Sequence, residues 1–437
     1  MVMMVRSSCK RPLAALSGDG DRSRRCSVEL VPRGVIEYRA RMIDLRSQID
    51  DALDVLLAEH DPSALSTQEF RGHQFDAGLG IIHFPKGRGG MGLSPSLQRD
   101  IEKRVVDAGR APEDPVLFFR HLAGPTIEAH GSDAVKDRFL RPMYTGEEKW
   151  CQLFSEPGAG SDFAGLAAKA MRDGDEWVVN GQKVWNTLAH LAEWGMLVVR
   201  TDASLPKHKG MTYFALEMRS EGVEVRPLRQ ITGEAEFNEV YLTDVRIPDA
   251  NRIGDVGEGW RAALTTLMNE RTAIGGGTPK RGGGSIGELM SVWSELPADE
   301  QTATRREAVM KLWAKAEALR LTNIRGSQNR KIGNPGPEGS VAKTMFAELN
   351  KDVYALTVDL LGLAGQVGYD YTFRRPSTLD VTGSGSGARH AFLRARANSI
   401  EGGTSEIMRN ILGEQVLGLP GEPRIDKDGP WIDVPRS

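Results

Sequence analysis

The sequence predicts a multidomain α+β protein, in which a β-rich middle domain follows an all-α N-terminal domain and precedes a helical bundle. The main observation is the spacing of apolar residues, which changes from helical to strand-like near residue 151 and back near residue 256. A chain of 437 residues also exceeds what one hydrophobic core usually organises. We therefore expect five divisions: an extension or disordered segment at 1–34, the α domain at 35–150, the β domain at 151–255, the bundle at 256–420 and a tail at 421–437.

The two helical domains are predicted from apolar residues that recur at spacings of one to four residues. In the N-terminal domain these residues are Ile43, Leu45, Ile49, Leu53, Leu56 and Leu57. In the C-terminal domain they are Val309, Leu312, Trp313, Ala316 and Leu319, and further on Val353, Leu356, Leu360 and Leu361. Gly/Pro-rich stretches at 275–284 and 333–339 predict loops within the bundle.

The middle domain is predicted from short runs rich in β-branched and aromatic residues, such as Trp177–Val179, Met196–Val199 and Thr212–Leu216. Turn signals separate these runs. The stretches Asp173–Asp175 and Asn180–Gly181 are both typical of hairpin turns. A small β-barrel or sandwich is therefore expected here.

The composition limits the classes of partner. A net charge of -3 argues against a surface that binds nucleic acid over its whole extent. The longest apolar runs fall short of the roughly 18 residues that a membrane helix needs. The three cysteines, Cys9, Cys26 and Cys151, have no metal-binding spacing and indicate a reducing compartment. We therefore expect no metal, nucleic acid or membrane partner, and a cytoplasmic location, with the mitochondrial matrix as the alternative.

The most informative stretch is Phe154–Asp162, which is followed by Lys183–Thr187. Ser155 and Ser161 carry hydroxyls, and the Pro and Gly residues between them favour an open turn with free backbone N–H groups. If Trp185 and Thr187 lie on a strand, alternation places them on the same side, where a planar ligand could stack and bond. The alternative is a polar hairpin with a buried Trp.

This stretch resembles the flavin-binding signature of the acyl-CoA dehydrogenase family. Two further segments carry the resemblance, Phe237–Trp260 and Ile400–Asn410 with its continuation to Pro420. The three segments are long and occur in the family's order. The resemblance implies an acyl-CoA dehydrogenase-like fold, with an all-α N-terminal domain, a β-barrel middle domain and a C-terminal helical bundle.

The resemblance also implies a reaction and its partners. In this family FAD oxidises an acyl-CoA thioester to the α,β-enoyl form: a carboxylate removes the α-proton and flavin N5 takes hydride from the β-carbon. The electrons pass to an electron-transfer flavoprotein. The family's fold implies a homodimer or homotetramer, with a heterotetramer as the alternative.

Residue by residue, the family's motifs assign a cofactor-binding role to Phe154, Ser155, Ser161, Trp185, Thr187, Asp359, Leu360, Leu361, Gly362, Thr404 and Glu406. The segment at 359–362 corresponds to one that a neighbouring subunit lends to the cofactor. Substrate-binding roles fall on Ser161, Arg271 and Gly403. The family's Arg-x-x-Phe-Gly segment is not visible, and Asn329–Ser340 stands in its place.

Two glutamates compete for the role of catalytic base. Glu401 precedes Gly402-Gly403-Thr404, but alignment with the family's Glu-Gly-Thr triplet puts Gly402 at the catalytic position. A minority of the family carries its base before an Arg on the first long C-terminal helix, which is Glu270 here. Glu270 also continues an otherwise apolar helical stripe, where a carboxylate without a purpose is costly. Glu270 is the predicted base and Glu401 the alternative.

Two other functions share this fold. One is a non-catalytic subunit that only completes the site of a sister chain. The other is a flavin-dependent oxidase or monooxygenase, whose reduced cofactor reacts with oxygen. The sequence does not define the acyl group of the substrate.

Overall fold

The fold is taken from a computed structural model. It describes residues 33–110, 118–275, 278–331, 336–368, 371–378, 387–423, 426 and 428–434, with side chains throughout except at 33–43, 271–275 and 330–331. The predicted extension lies outside the described residues as far as residue 32. The side chain of Arg271 and parts of the predicted loops at 275–284 and 333–339 also lie outside them.

Helices make up most of the described N-terminal part. They are α1 (Arg33–Glu59), α2 (Thr67–Asp76), α3 (Gln98–Asp107), α4 (Arg120–His130) and α5 (Asp133–Thr145). Helix α2 starts with a capping box, in which the Ser66 hydroxyl accepts the N–H of Glu69 and the Glu69 carboxylate accepts the N–H of Ser66. Helix α5 starts after the N-cap residue Ser132 and ends at Gly146, whose φ is 87°. Local sequence signals therefore define these helix ends.

The middle part is a curled, seven-stranded sheet. Its strands are β1 (Trp150–Leu153), β2 (Lys169–Asp173), β3 (Glu176–Lys183), β4 (Trp194–Arg200), β5 (Met211–Glu217), β6 (Val223–Pro227) and β7 (Asn238–Pro248). Their order is β1-β4-β2-β3-β7-β6, and β5 pairs with β4. Strands β1 and β4 are parallel, whereas β2 and β3 form a hairpin with Asp173 opposite Glu176. The turn predicted at Asp173–Asp175 is therefore confirmed.

The turn predicted at Asn180–Gly181 is wrong. Both residues lie inside β3, and the register with β7 shifts between Val179 and Gly181, which is a β-bulge. A Cβ atom at Gly181 would lie 2.4 Å from the Cβ of Ala168. The glycine therefore serves a close approach of two backbones within the sheet and not a chain reversal.

Helices return after the sheet. They are α6 (Gly259–Gly275), α7 (Ser285–Glu295), α8 (Ala303–Lys331), α9 (Glu338–Leu360), α10 (Leu363–Gln366), α11 (Ala388–Arg394) and α12 (Ser405–Asn410). Among the helices of the described ranges, none has the length and apolar character needed to cross a membrane. The predicted order of helical, β-rich and helical parts is confirmed.

A shared hydrophobic core fixes the position of α6. Ala263 of α6 is fully buried together with residues of α4, α5 and one face of the sheet. The hydroxyl of Thr266 lies 2.8 Å from that of Thr126 on α4 and 3.2 Å from that of Tyr213 on β5. Because these contacts come from two different elements, the next turn of α6, which carries Glu270, is held against the sheet.

The last described segment, 428–434, packs on the middle part. The Trp431 ring is only 7% exposed, and the Arg200 guanidinium lies 4.3 Å from its centroid. The N–H of Trp431 donates to the carbonyl of Leu205, and that of Ile432 to Ala203. The docking therefore combines a buried cation–π contact with a short run of backbone hydrogen bonds.

We predict that Trp431→Ala releases this segment. Removing the ring loses the free energy of burying its apolar area and that of its contact with Arg200. Together these free energies exceed the ~1.4 kcal/mol that corresponds to a tenfold change in the equilibrium for local opening. Amide hydrogen exchange at 429–434 should therefore become at least about tenfold faster. Ile432→Ala is the control, because that side chain is largely exposed. Unchanged exchange in Trp431→Ala would contradict the assigned anchoring role.

Candidate active site

A cleft of about 420 Å³ lies where the sheet, α6 and the segment before α12 meet. This size is within the range usual for small-molecule sites. Its wall brings together nine of the residues singled out from the sequence: Phe154, Ser155, Ser161, Trp185, Thr187, Glu270, Glu401, Gly403 and Thr404. Segments that are distant along the chain therefore converge on one cavity.

A buried ion pair joins the two loops that carry the flavin-like signature. The Lys183 ammonium is fully buried, lies 2.7 Å from the Glu156 carboxylate and donates to the carbonyl of Phe154 at 3.0 Å. Glu156 also accepts the backbone N–H groups of Ala167 and Ala168. Burial lowers the pKa of Lys183, while Glu156 opposes this effect. Both charges are thus compensated, and the 154–168 loop is fixed to the end of β3.

Trp185 and Thr187 both line the cleft, but not for the predicted reason. Strand β3 ends at Lys183, so strand alternation does not apply to them. Trp185 instead has a left-handed φ of 62°, which is rare for a bulky side chain and is usually retained at functional sites. Its ring packs edge-on against Phe237 and remains 55% exposed. A large aromatic face is therefore presented at the cleft.

Several polar groups in the wall have no partner among the described residues. The hydroxyls of Ser155, Ser161 and Thr187 make no hydrogen bond there, and Oδ1 of Asn186 is buried without a donor. The amide of Asn186 is fixed, because its Nδ2 donates to the carbonyl of Gln152 at 2.9 Å. An aromatic face surrounded by unused hydrogen-bonding groups suits a planar heteroaromatic ligand, so the residues fit the isoalloxazine ring of FAD.

Glu270 reaches the cleft from α6. Its side chain is partly buried, and Nε2 of Gln152 on β1 donates to its Oε2 at 3.3 Å. Leu267, one turn earlier, also lines the cleft and packs against the shared core. The predicted stripe of α6 thus faces this cavity up to Glu270. The side chain of Ile274, one turn further along α6, lies outside the described residues.

Glu401 lies in the same cleft but has a structural partner. Arg394 donates to both of its carboxylate oxygens, at 3.1 and 2.9 Å, and Asn398 donates to Oε1 at 2.8 Å. Arg394 also lies 3.2 Å from Glu236, and burial raises the pKa of that carboxyl group to about 7. Both oxygens of the Glu401 carboxylate are therefore engaged in a charge-assisted, bidentate contact.

Lys343 on α9 is a buried lysine whose pKa is affected by both candidate bases. It is 1% exposed and donates to the carbonyl of Asn398 at 2.7 Å. Burial lowers the pKa of Lys343, and the carboxylates of Glu401 and Glu270 act in the opposite direction. Both candidate bases therefore interact electrostatically with one buried lysine of α9.

Other predicted residues do not meet in this cleft. The 359–362 segment lies at the end of α9, where Asp359 and Gly362 are exposed, and Glu406 is exposed beside Arg409. Such positions are compatible with contacts to a second chain. The position of the Arg271 side chain is outside the described residues. These assignments stay predictions.

Sequence reasoning missed several residues of the wall. Gln152 is polar within the apolar run of β1, which is a signal that could have found it. Asn186 lies inside the Lys183–Thr187 motif, but no role is assigned to it from the sequence. Phe118 and Phe119 line the cleft just before the start of α4, and nothing in their local pattern distinguishes them from core residues. Their position depends on tertiary packing.

Comparison with known proteins identifies the family. The sequence model described as "Acyl-CoA dehydrogenase, middle domain" matches residues 151–245, and "Acyl-CoA dehydrogenase, C-terminal domain" matches residues 257–417. Acyl-CoA dehydrogenase IpdE1 of Mycobacterium tuberculosis is 35% identical over 357 residues, which are 80% of this chain and 86% of IpdE1. The chain belongs to the acyl-CoA dehydrogenase family. The resemblance found in the sequence is thereby confirmed, and so is the assignment to acyl-CoA dehydrogenase-type oxidoreductases.

Two further similarities extend the comparison. Acyl-CoA dehydrogenase FadE34 of M. tuberculosis is 36% identical over 407 residues, which are 93% of this chain. The chain spans about half of FadE34, 53% of its length. The crystal structure of the ChsE4-ChsE5 complex from M. tuberculosis matches with a TM-score of 0.64 and 29% identity, over 88% of this chain and 98% of that one. The acyl-CoA dehydrogenase fold is therefore confirmed.

We predict that breaking the buried pair destabilises the protein. Lys183→Met leaves the Glu156 carboxylate buried without its cation, which typically costs about 3–5 kcal/mol of the free energy of unfolding. The change should appear as an earlier midpoint in urea and as weaker retention of FAD. Arg226→Met is the control, because the pair of Arg226 with Glu224 is exposed and should contribute nothing measurable. Equal midpoints for Lys183→Met and the parent protein would refute the assigned role.

Proposed function

We propose that this acyl-CoA dehydrogenase oxidises an acyl-CoA thioester to its α,β-enoyl form with FAD, and that Glu270 is the base. The observation that carries this proposal is the contrast between the two carboxylates of the cleft. Arg394 engages both carboxylate oxygens of Glu401, whereas Oε2 of Glu270 accepts the neutral amide of Gln152. Of the two, Glu270 is better suited to accept a proton.

The two loops would hold the cofactor. The Trp185 ring offers a stacking surface, the hydroxyls of Ser155 and Thr187 can donate to ring acceptors, and Asn186 can accept an N–H. FAD, when bound, supplies the acceptor for the hydride of the substrate β-carbon. Thr404 is less available, because its hydroxyl caps α12 by accepting the N–H of Ile407.

The substrate would be held between α6 and the 400–404 segment. Phe118, Phe119 and Phe163 line this cavity, and their apolar rings would exclude water from the reacting carbons. The developing enolate needs hydrogen-bond donors at the thioester oxygen. Gly402 and Gly403 both line the cleft with left-handed φ values of 61° and 92°, and their N–H groups make no backbone hydrogen bond among the described residues. We assign the donor role to these two groups.

The remaining parts of the proposal concern partners and location. We propose that electrons leave to an electron-transfer flavoprotein, and that the 359–362 segment completes the cofactor site of another subunit. A homotetramer and a heterotetramer both satisfy this arrangement, and the similarity to the ChsE4-ChsE5 complex supports the second. A cytoplasmic location accords with these partners. The acyl group is to be found by screening a panel of acyl-CoAs with a dye acceptor.

We predict that Glu270→Gln abolishes rapid flavin reduction. Loss of a positioned base typically costs 10²–10⁴-fold, so the anaerobic bleaching of bound FAD by acyl-CoA should slow by about that factor. Glu401→Gln is the matched control, because Glu401 lines the same cleft. It should keep the rate within roughly tenfold, provided that its FAD content is unchanged. Normal reduction of Glu270→Gln would show that the base is another residue.

The same experiment separates the rival functions. If the parent chain holds FAD but no acyl-CoA of the panel reduces it, the non-catalytic subunit is favoured. If acyl-CoA reduces it and oxygen then reoxidises it rapidly, the oxidase or monooxygenase is favoured. Slow reoxidation by oxygen and fast reoxidation by an electron-transfer flavoprotein support the dehydrogenase.

A further inference from the structure

We propose that Gln152 is a positioning residue, which fixes the catalytic carboxylate relative to the loop that faces the cofactor. The inference rests on the proposed function, because it takes Glu270 as the base. Its basis is that one residue, Gln152, contacts both the loop that faces the cofactor and the proposed base. The backbone of Gln152 bonds to the 185–187 loop, and its side chain bonds to Glu270.

The backbone of Gln152 has a fixed place in the sheet. Strand β1 pairs in parallel with β4, with Gln152 opposite Met196. The carbonyl of Gln152 accepts Nδ2 of Asn186 at 2.9 Å. Asn186 stands between Trp185 and Thr187, and its own N–H donates to the carbonyl of Asn238. The loop that carries the aromatic face is therefore attached to β1 at Gln152.

The side chain of Gln152 points to the carboxylate of Glu270. Its neighbours Cys151 and Leu153 are fully buried in the core beneath the opposite face of the sheet. Because side chains alternate along a strand, Gln152 projects to the face that α6 covers. There its Nε2 donates to Oε2 of Glu270 at 3.3 Å. A side chain with three rotatable bonds is thereby held towards the cleft.

The Gln152 side chain donates its hydrogen bond through a neutral amide, and this affects the protonation of the Glu270 carboxylate. A hydrogen bond to the carboxylate favours its ionised form, which is the form that accepts a proton. Because the donor is a neutral amide, Gln152 orients the carboxylate without adding a charge to the cleft. Among the described side chains, Lys343 and the Arg394–Glu401 pair are charged groups of this region. A change confined to Gln152 leaves all of these in place.

The test is Gln152→Met, which keeps the length of the side chain and removes the donor. With an acyl-CoA that reduces the parent enzyme, the rate of flavin reduction should fall about 10–100-fold while the dissociation constant of the substrate changes by less than about threefold. The acid limb of the pH–rate profile should move to higher pH by about half a unit to one unit, because the ionised base loses a donor. Gln152→Asn, whose amide is too short to reach, should show the same shift in the same direction.

Gln182→Met is the matched control. Gln182 on β3 donates to Glu239 at 3.1 Å, so it also makes a Gln–Glu contact, but it lies outside the cleft. It should leave the rate and the pH profile unchanged, and all variants should retain FAD. The proposal would be overturned by parent-like rates in both Gln152 variants or by a lower rate without any shift of the acid limb. An equal fall of the rate in Gln182→Met would also overturn it. If Glu270→Gln is inert while the Gln152 variants are normal, only the positioning role fails; if Glu270→Gln is active, the proposed base itself fails.

Discussion

The buried ion pair between Lys183 and Glu156 is the contact on which the cleft depends. A fully buried ammonium is tolerated only with close compensation, and here a carboxylate and the carbonyl of Phe154 supply it. Glu156 is satisfied in turn by two backbone N–H groups at 167 and 168. The pair thereby fixes the relative position of two loops that are separated by more than twenty residues, and the aromatic face of Trp185 follows directly after it.

A second constraint is the pairing of Arg394 with two carboxylates, one of which lines the cleft. Arg394 contacts Glu401 within the C-terminal part and Glu236 on the middle part, so Glu401 is engaged by the guanidinium that joins the two parts. This contact accords with the alignment of the sequence, in which Gly402 and not Glu401 takes the position of the family's usual base. We propose that the base is instead Glu270 on α6, a helix that the shared core holds against the sheet.

Much of this arrangement could be predicted from the sequence, because the signals were local. The helix–sheet–helix order and the turn at 173–175 depend on short-range patterns, whereas the convergence of both loops on one site was implied by the resemblance to the family. Other predictions failed where tertiary contacts decide. Gly181 belongs to a bulge because Ala168 lies against it, and Trp185 leaves the strand because its backbone is left-handed. The contact of Gln152 with Glu270 joins residues 118 positions apart, which no local pattern reports.

The central claim is that Glu270, and not Glu401, exchanges a proton with the α-carbon of the substrate. The most direct measurement is solvent exchange at that carbon, in which the enzyme and an acyl-CoA are incubated without oxygen in D₂O and deuterium is counted by mass spectrometry. The account predicts exchange in the parent enzyme and in Glu401→Gln, and none above background in Glu270→Gln. Exchange that persists in Glu270→Gln and disappears in Glu401→Gln would contradict it.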